Sequence, residues 1–196
     1  MKAVYWYERA ASQGNDLAQY YLGYCYAHGE GVSEDSKKAA YWYEKSANQG
    51  NVRAQLQIGL CYYLGLGVSK DPQKAVDWFA KSANRGFANA QFVLGLCFYN
   101  GEGVSQILQN AVFWWEKAAN QGYAEAQYSL GECYFSGVGT PKNLQKAAYW
   151  YEQAANQGHA KAQLKLSECY AKGYGVKSDM VKSLNWRTKY LENSNK

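Results

Sequence analysis

The chain of 196 residues contains two histidines, His28 and His159, and five cysteines, Cys25, Cys61, Cys97, Cys133 and Cys169. Cys25 and His28 stand three positions apart, a spacing that on a helix brings a thiolate and an imidazole onto one face as two metal ligands. A structural zinc needs four ligands, and the sequence holds no second Cys/His pair of this kind. The reading set against it is an ordinary core cysteine beside a surface histidine. Glu132 and Glu168 are a candidate carboxylate pair, weighed against two solvated surface residues. Gly-x-Gly segments occur at Gly29/Gly31, Gly65/Gly67, Gly101/Gly103, Gly137/Gly139 and Gly173/Gly175. Such segments cradle phosphate when they join a strand to a helix, but these follow helical patterns and recur at one interval, which reads as turn chemistry. The Ser-x-x-Lys and Lys-Thr-Gly motifs of serine β-lactamases do not occur. This inventory lacks a convergent acid, base and nucleophile, so the chain is expected not to be an enzyme and to need no cofactor.

The elements that carry these residues repeat every 36 positions. Ala-Gln recurs at Ala18/Gln19, Ala54/Gln55, Ala90/Gln91, Ala126/Gln127 and Ala162/Gln163, and Trp at 6, 42, 78, 114, 150 and 186. A fixed period of this size is the mark of a solenoid, in which no unit buries its apolar face alone. His28 and His159 are then more than three units apart and cannot share a site. In the unit Asn51 to Gly86, Ala54, Ile58, Cys61 and Tyr62 share one helical face. Gly65-Leu66-Gly67 ends that helix, and Asp71-Pro72 starts a second one with an N-cap acceptor followed by a proline at the first helical position. Ala75, Trp78, Phe79, Ser82 and Ala83 form the second apolar face, with the recurrent Trp expected to fill the volume between hairpins. In the third unit Ile107 stands where Asp35, Asp71 and Asp179 would cap, so that helix needs another cap such as Ser105, or stays loose. In the fifth, Ser167, Ser183 and Arg187 replace Gly, Ala and an aromatic, as at a solvent-facing end.

The expected organisation is one solenoid over 1–196. A lone second helix, 1–14, precedes units 15–50, 51–86, 87–122, 123–158 and 159–194. The opening residues match the second half of a unit, so the chain reads as cut inside a longer solenoid. Tyr5, Trp6 and Ala10 carry the spacing of a buried face, and an uncovered N-terminal end is a place for self-association. No apolar run is long enough to cross a bilayer. One cysteine per unit at equivalent places leaves Cα atoms too far apart for a disulfide ladder, which is compatible with a reducing compartment and leaves the location unassigned. The net charge of +5 resides from His159 onward, where eight basic residues meet three acidic ones. A basic end can serve an acidic partner, but polar terminal repeats are also expected in order to close a core against water.

Five copies allow the chain to be compared with itself. On the first helix of each unit, the positions that differ fall on one stripe. It runs from Leu17, Tyr21, Tyr24 and His28 through Arg53, Gln57, Leu60 and Leu64 to Asn89, Val93, Leu96 and Asn100. It turns polar at Glu125, Ser129, Glu132 and Ser136 and ends at Lys161, Lys165, Glu168 and Lys172. Apolar side chains left on such a face suggest an anchor site for a peptide. The partner-binding residues expected from this are Tyr21, Tyr24, His28, Gln57, Leu60, Leu64, Val93, Leu96, Asn100 and Glu132. The competing account is that they pack on the following hairpin.

The pattern Ala-x-x-x-Leu-Gly-x-x-Tyr-x-x-Gly-x-Gly-Val, seen from Ala18 to Val32, continues as Asp-x-x-Lys-Ala-x-x-Trp-Tyr from Asp35 to Tyr43. It resembles the Sel1-like repeat family, a tetratricopeptide-related class. The resemblance implies an all-α, right-handed α/α superhelical solenoid of helix–loop–helix hairpins, with first helices lining the concave surface. It implies a scaffold or adaptor that binds a protein or peptide along that groove. Some cysteine-rich relatives are linked with penicillin binding, but they carry paired cysteines in each unit, which this chain lacks. The alternatives are binding of an anionic surface or nucleic acid through the basic last unit, and a passive spacer. The aromatic residues, read as core columns, argue against a base-stacking platform for nucleic acid.

Overall fold

Glycines and caps decide where the helices stop and start. Gly29, Gly65, Gly101, Gly137 and Gly173 take left-handed φ values between 68° and 83°, and each donates its N–H to the cysteine carbonyl four residues earlier. After the loop, Asp35, Asp71, Asn143 and Asp179 accept from the N–H groups of Lys38, Lys74, Lys146 and Lys182 at 2.9–3.0 Å. Ile107 has no acceptor, and its helix begins without a side-chain cap. First helices are capped by Asn15, Asn51 and, in the last repeat, His159. A backbone N–H can only donate, so His159 Nδ1 accepts from Ala162 at 3.1 Å and its Nε2–H donates to Glu125 at 3.0 Å.

The computed structural model describes residues 2–194, which form eleven helices and divide into two compact units at Ser105 and Gln106. The first unit holds α1 (Lys2–Ser12), α2 (Asp16–His28), α3 (Ser36–Asn48), α4 (Val52–Leu64), α5 (Pro72–Asn84) and α6 (Ala88–Asn100). The second holds α7 (Leu108–Asn120), α8 (Ala124–Ser136), α9 (Leu144–Asn156), α10 (Ala160–Lys172) and α11 (Met180–Ser194). In each unit every helix packs on the next one in sequence, so the fold is an all-α solenoid of hairpins. Among the described residues no helix is long and apolar enough to cross a membrane.

The core runs along one aromatic column, and it is not the tryptophan column. Tyr43, Phe79, Trp115 and Tyr151, each one position after the recurrent Trp, are at most 3% exposed. Of the tryptophans, Trp78 is buried, Trp42, Trp114, Trp150 and Trp186 are half-buried, and Trp6 is 63% exposed. The reason lies on the first helix. A Cβ on Gly23, Gly59 or Gly131 would stand 2.5–2.7 Å from the rings of Tyr43, Phe79 or Tyr151, so the missing side chain is the space the ring occupies. Ser167 and Arg187 break both halves of this pairing together in the last repeat, where no ring needs the space. The N-terminal helix follows the same register. Val4 and Ala11 are buried and Tyr7 and Ala10 pack against them, whereas Tyr5 is exposed, which corrects the face expected for α1.

The Ala-Gln column is a polar seam in this core. Gln19, Gln55, Gln91, Gln127 and Gln163 donate through Nε2 to the carbonyls of Ala11, Ala47, Ala83, Ala119 and Ala155 at 3.1–3.2 Å. These carbonyls belong to the last turn of the preceding helix, and each also accepts the N–H of the glycine three residues on, so the Gln side chain fills the second lone pair. The amide oxygens of Gln19, Gln127 and Gln163 accept in turn from Gln49, Gln157 and Asn193. At Gln55 the corresponding residue is Arg85, whose guanidinium donates to Gly50 O instead, and Gln55 Oε1 is buried without a partner. Arg85→Gln should therefore stabilise the protein by about 1 kcal/mol, the size of one recovered hydrogen bond at a buried orphan acceptor. A urea midpoint equal to or below that of the wild type would show that Gln55 Oε1 is satisfied by water.

Candidate partner-binding pocket

Within the first unit, α2, α3, α4 and the loops after α2 and α4 enclose a pocket of about 250 Å³. First helices in consecutive repeats share a register, so His28 at the end of α2 corresponds to Leu64 at the end of α4. Both are exposed and line the pocket, with Gln57 and Leu60 from the same face of α4. Ala27, Ala39, Tyr43 and Cys61 complete the wall, Glu34 comes from the segment between α2 and α3, Ser36 opens α3, and Leu66 comes from the loop after α4. Leu64 is 57% and Leu66 49% exposed, so two leucines at the rim are left to water. Tyr24 stacks on His28 with centroids 4.1 Å apart. His28 Nδ1 lies 2.9 Å from Tyr24 O, and since a carbonyl can only accept, Nδ1 carries a hydrogen and Nε2 of the neutral ring is left as an acceptor.

Burial pushes the Cys61 thiol up to about 11 and raises the Tyr43 phenol further, so neither is an anion at neutral pH. Burial likewise raises Cys97, Cys133 and Cys169 to about 11, and all five cysteines are free. Among the described residues, no three His, Cys, Asp or Glu side chains converge as a metal site. The lining combines an apolar wall with the Glu34 carboxylate, the Ser36 hydroxyl, the Gln57 amide and the His28 imidazole.

The other residues of the expected stripe sit elsewhere. Tyr21 is half-buried and stacks on Tyr7 at 5.4 Å, while Val93 and Leu96 are half-buried and Asn100 exposed on α6, outside the pocket. Glu132, in the second unit, is not a free carboxylate. It accepts from the Tyr151 hydroxyl and pairs with Lys165 at 3.3 Å, and burial together with that bond holds the Tyr151 phenol well above its ordinary range. Glu168 is exposed.

The model of the Sel1 repeat matches residues 1–15, 16–51, 52–87, 88–123, 124–159 and 160–187. The chain belongs to the Sel1 repeat family. Among solved structures it is similar to a protective antigen present in uropathogenic Escherichia coli strains displaying an SLR fold, at 36% identity and a TM-score of 0.93. That match covers 95% of this chain and 40% of the antigen, so the chain spans well under half of that relative. A Sel1 repeat protein from Oxalobacter formigenes is 35% identical with a TM-score of 0.87, over 93% of this chain and 75% of the other. An immunity protein from Pseudomonas aeruginosa is 25% identical with a TM-score of 0.60, over 97% of this chain and 73% of its own. A comparison with curated proteins gives no match.

Comparing the Sel1 repeats with one another would also have found Leu66. It is the middle residue of a Gly-x-Gly loop, and that position reads Glu30, Leu66, Glu102, Val138 and Tyr174 while its glycines do not change. Reading the loop only as a turn hid a variable residue on its tip. Ala27, Glu34, Ser36 and Ala39 carried no such signal, because the pocket reaches them only once the hairpins stack.

Proposed function

We propose that this Sel1 repeat chain is a non-catalytic protein-binding scaffold that holds an extended or helical segment of a partner on its first-helix face. The observation that carries the reading is the pocket bounded by Leu60, Leu64 and Leu66, two of them exposed at its rim. An apolar side chain of the partner enters this pocket, and Glu34 and His28 offer acceptors to polar groups beside it. Burying rim leucines against an anchor residue releases water at little ordering cost to a preformed surface. Tyr21, Tyr24, Gln57, Val93, Leu96 and Asn100 extend the proposed contact along the first helices of the same unit. Similarity to a protective antigen and to an immunity protein is in keeping with a role exercised by contact.

The basic residues of the last repeat are partly occupied. Lys165 pairs with Glu132, while Lys172, Lys182 and Lys189 lie over the rings of Tyr174, Tyr170 and Trp186. The test is a cross-linking pull-down with the wild type, the double variant Leu64→Ser with Leu66→Ser, and a triple Lys-to-Gln variant at 161, 165 and 172. The leucine variant should lose the principal partner while changing stability by no more than ~0.5 kcal/mol per site, because both side chains are about half exposed. The lysine variant should alter mainly the salt dependence of capture. The reverse pattern would transfer the function to the basic end.

A further inference from the structure

The second helices carry aromatic pairs on their outer surface, contrary to the expectation that the aromatic columns are core. Tyr5–Trp6, Tyr41–Trp42, Phe113–Trp114 and Tyr149–Trp150 are edge-to-face pairs with centroids 5.0–5.2 Å apart. The first member of each pair is about half exposed. In three of these pairs a cation lies over the rings: Arg9 over Tyr5 and Trp6, Lys45 over Tyr41, and Lys117 over Phe113. Lys81 covers Trp78 in the same register. At that register the fourth repeat has Gln153. Tyr149 and Trp150 therefore present ring faces beside a neutral amide.

Two adjoining clefts, of about 220 and 350 Å³, share Asn120, Tyr149 and Trp150. The first also has Gln127 and Gln153, and the second has Glu116, Tyr134 and Lys146. Gln127 is already engaged on both ends of its amide, and Glu116 accepts from the Tyr134 hydroxyl at 2.8 Å. Lys146 lies over the Tyr134 ring at 4.9 Å. The groups left to serve a ligand are the amides of Asn120 and Gln153, the remaining acceptor capacity of Glu116, and the two aromatic rings.

We infer that Tyr149, Trp150, Asn120 and Gln153 form a binding site for a β-linked pyranose oligosaccharide. A hydroxyl is donor and acceptor at once, and a side-chain amide supplies both complements. A pyranose with equatorial substituents has a flat face of C–H groups, and covering it with an aromatic ring removes apolar area from water on both partners. The missing cation matters here. A base-stacking site for nucleic acid uses positive charge beside its rings, whereas here the cation over the Tyr149–Trp150 pair is replaced by Gln153, and Lys146 of the second cleft lies over the Tyr134 ring with the Glu116 carboxylate in the same cleft. Two clefts joined at one aromatic pair suit linked rings better than a single ring. The site lies on α7 to α9, away from the leucine-lined pocket, and does not depend on that pocket's role.

Calorimetric titration of the whole chain with cellotetraose and with chitotetraose, followed in parallel by tryptophan fluorescence, tests the site. Binding of at least one of the two is expected, weakened tenfold or more by Trp150→Ala and by Gln153→Lys, and unchanged in Trp42→Ala. Gln153→Lys restores the residue type that the other repeats carry, so its loss of binding cannot come from misfolding, which circular dichroism would verify. Absence of heat and fluorescence change with both sugars would overturn the inference. So would full affinity in Gln153→Lys, an equal loss in Trp42→Ala, or binding of oligo-dT at low salt in place of either sugar.

Discussion

Phe79→Ala is expected to destabilise the protein by ~3–5 kcal/mol, the cost of emptying a fully buried aromatic site. Phe79 is 0% exposed and lies against Gly59, where a Cβ would meet its ring carbons at 2.5 and 2.6 Å. Trp42→Ala, in the neighbouring column, should cost distinctly less, because that ring is half-buried and gives up less apolar area. Equal losses in urea midpoint for the two variants would return the core to the tryptophan column. Gly59→Ala sharpens the test. Alanine favours a helix by about 1 kcal/mol over glycine, yet overpacking against a ring held on all sides costs ~1–3 kcal/mol, so the net effect should be destabilising. In the double variant the cavity left by Phe79→Ala accepts the new methyl, and the two costs should combine to less than their sum.

Gly67→Ala should cost ~2–4 kcal/mol, although it adds one methyl to a loop. Gly67 has φ +71, and a Cβ there would stand 2.0 Å from Ser36 O and 2.4 Å from its carbonyl carbon. Both obstacles are backbone, so no rotamer change relieves them and the loop after α4 must part from the start of α3. Gly103, Gly139 and Gly175 meet Pro72, Leu108 and Leu144 in the same way, which explains the second glycine of these four Gly-x-Gly segments. Gly86→Ala is the control, since it shares a positive φ of 90° but has nothing within 4 Å of its Cβ, so it carries only the conformational term. Hydrogen exchange should show α3 losing protection in Gly67→Ala and keeping it in Gly86→Ala. Partner capture should fall with it, because Ser36 and Leu66 line the pocket on the two sides of that contact. A Gly67→Ala protein no less stable than Gly86→Ala would remove the proposed contact between loop and helix.

The repeat period, the hairpin in each unit and most helix ends were legible in the residues alone. A cap acts within about one helical turn, so Asp71 before Pro72, or Gly65 after Leu64, declares its role through its immediate neighbours. The stripe on the first helices could also be read, and four of its members, His28, Gln57, Leu60 and Leu64, meet in one pocket. Tertiary structure decided the rest. Trp78 and Phe79 are adjacent and both apolar, and nothing local tells which one lies against Gly59. Likewise, Arg85 looks like an ordinary surface residue until stacking brings it to the place where Gln49 and Gln157 serve their partners. Glu132 looks free until Tyr151 and Lys165 close on it. The physical reason is separation along the chain. Capping and periodicity are properties of residues a few positions apart, whereas the ring packing, side-chain pairing and loop contacts that decide burial join residues 19 to 35 positions apart, brought together only when one helix or hairpin is laid on the next.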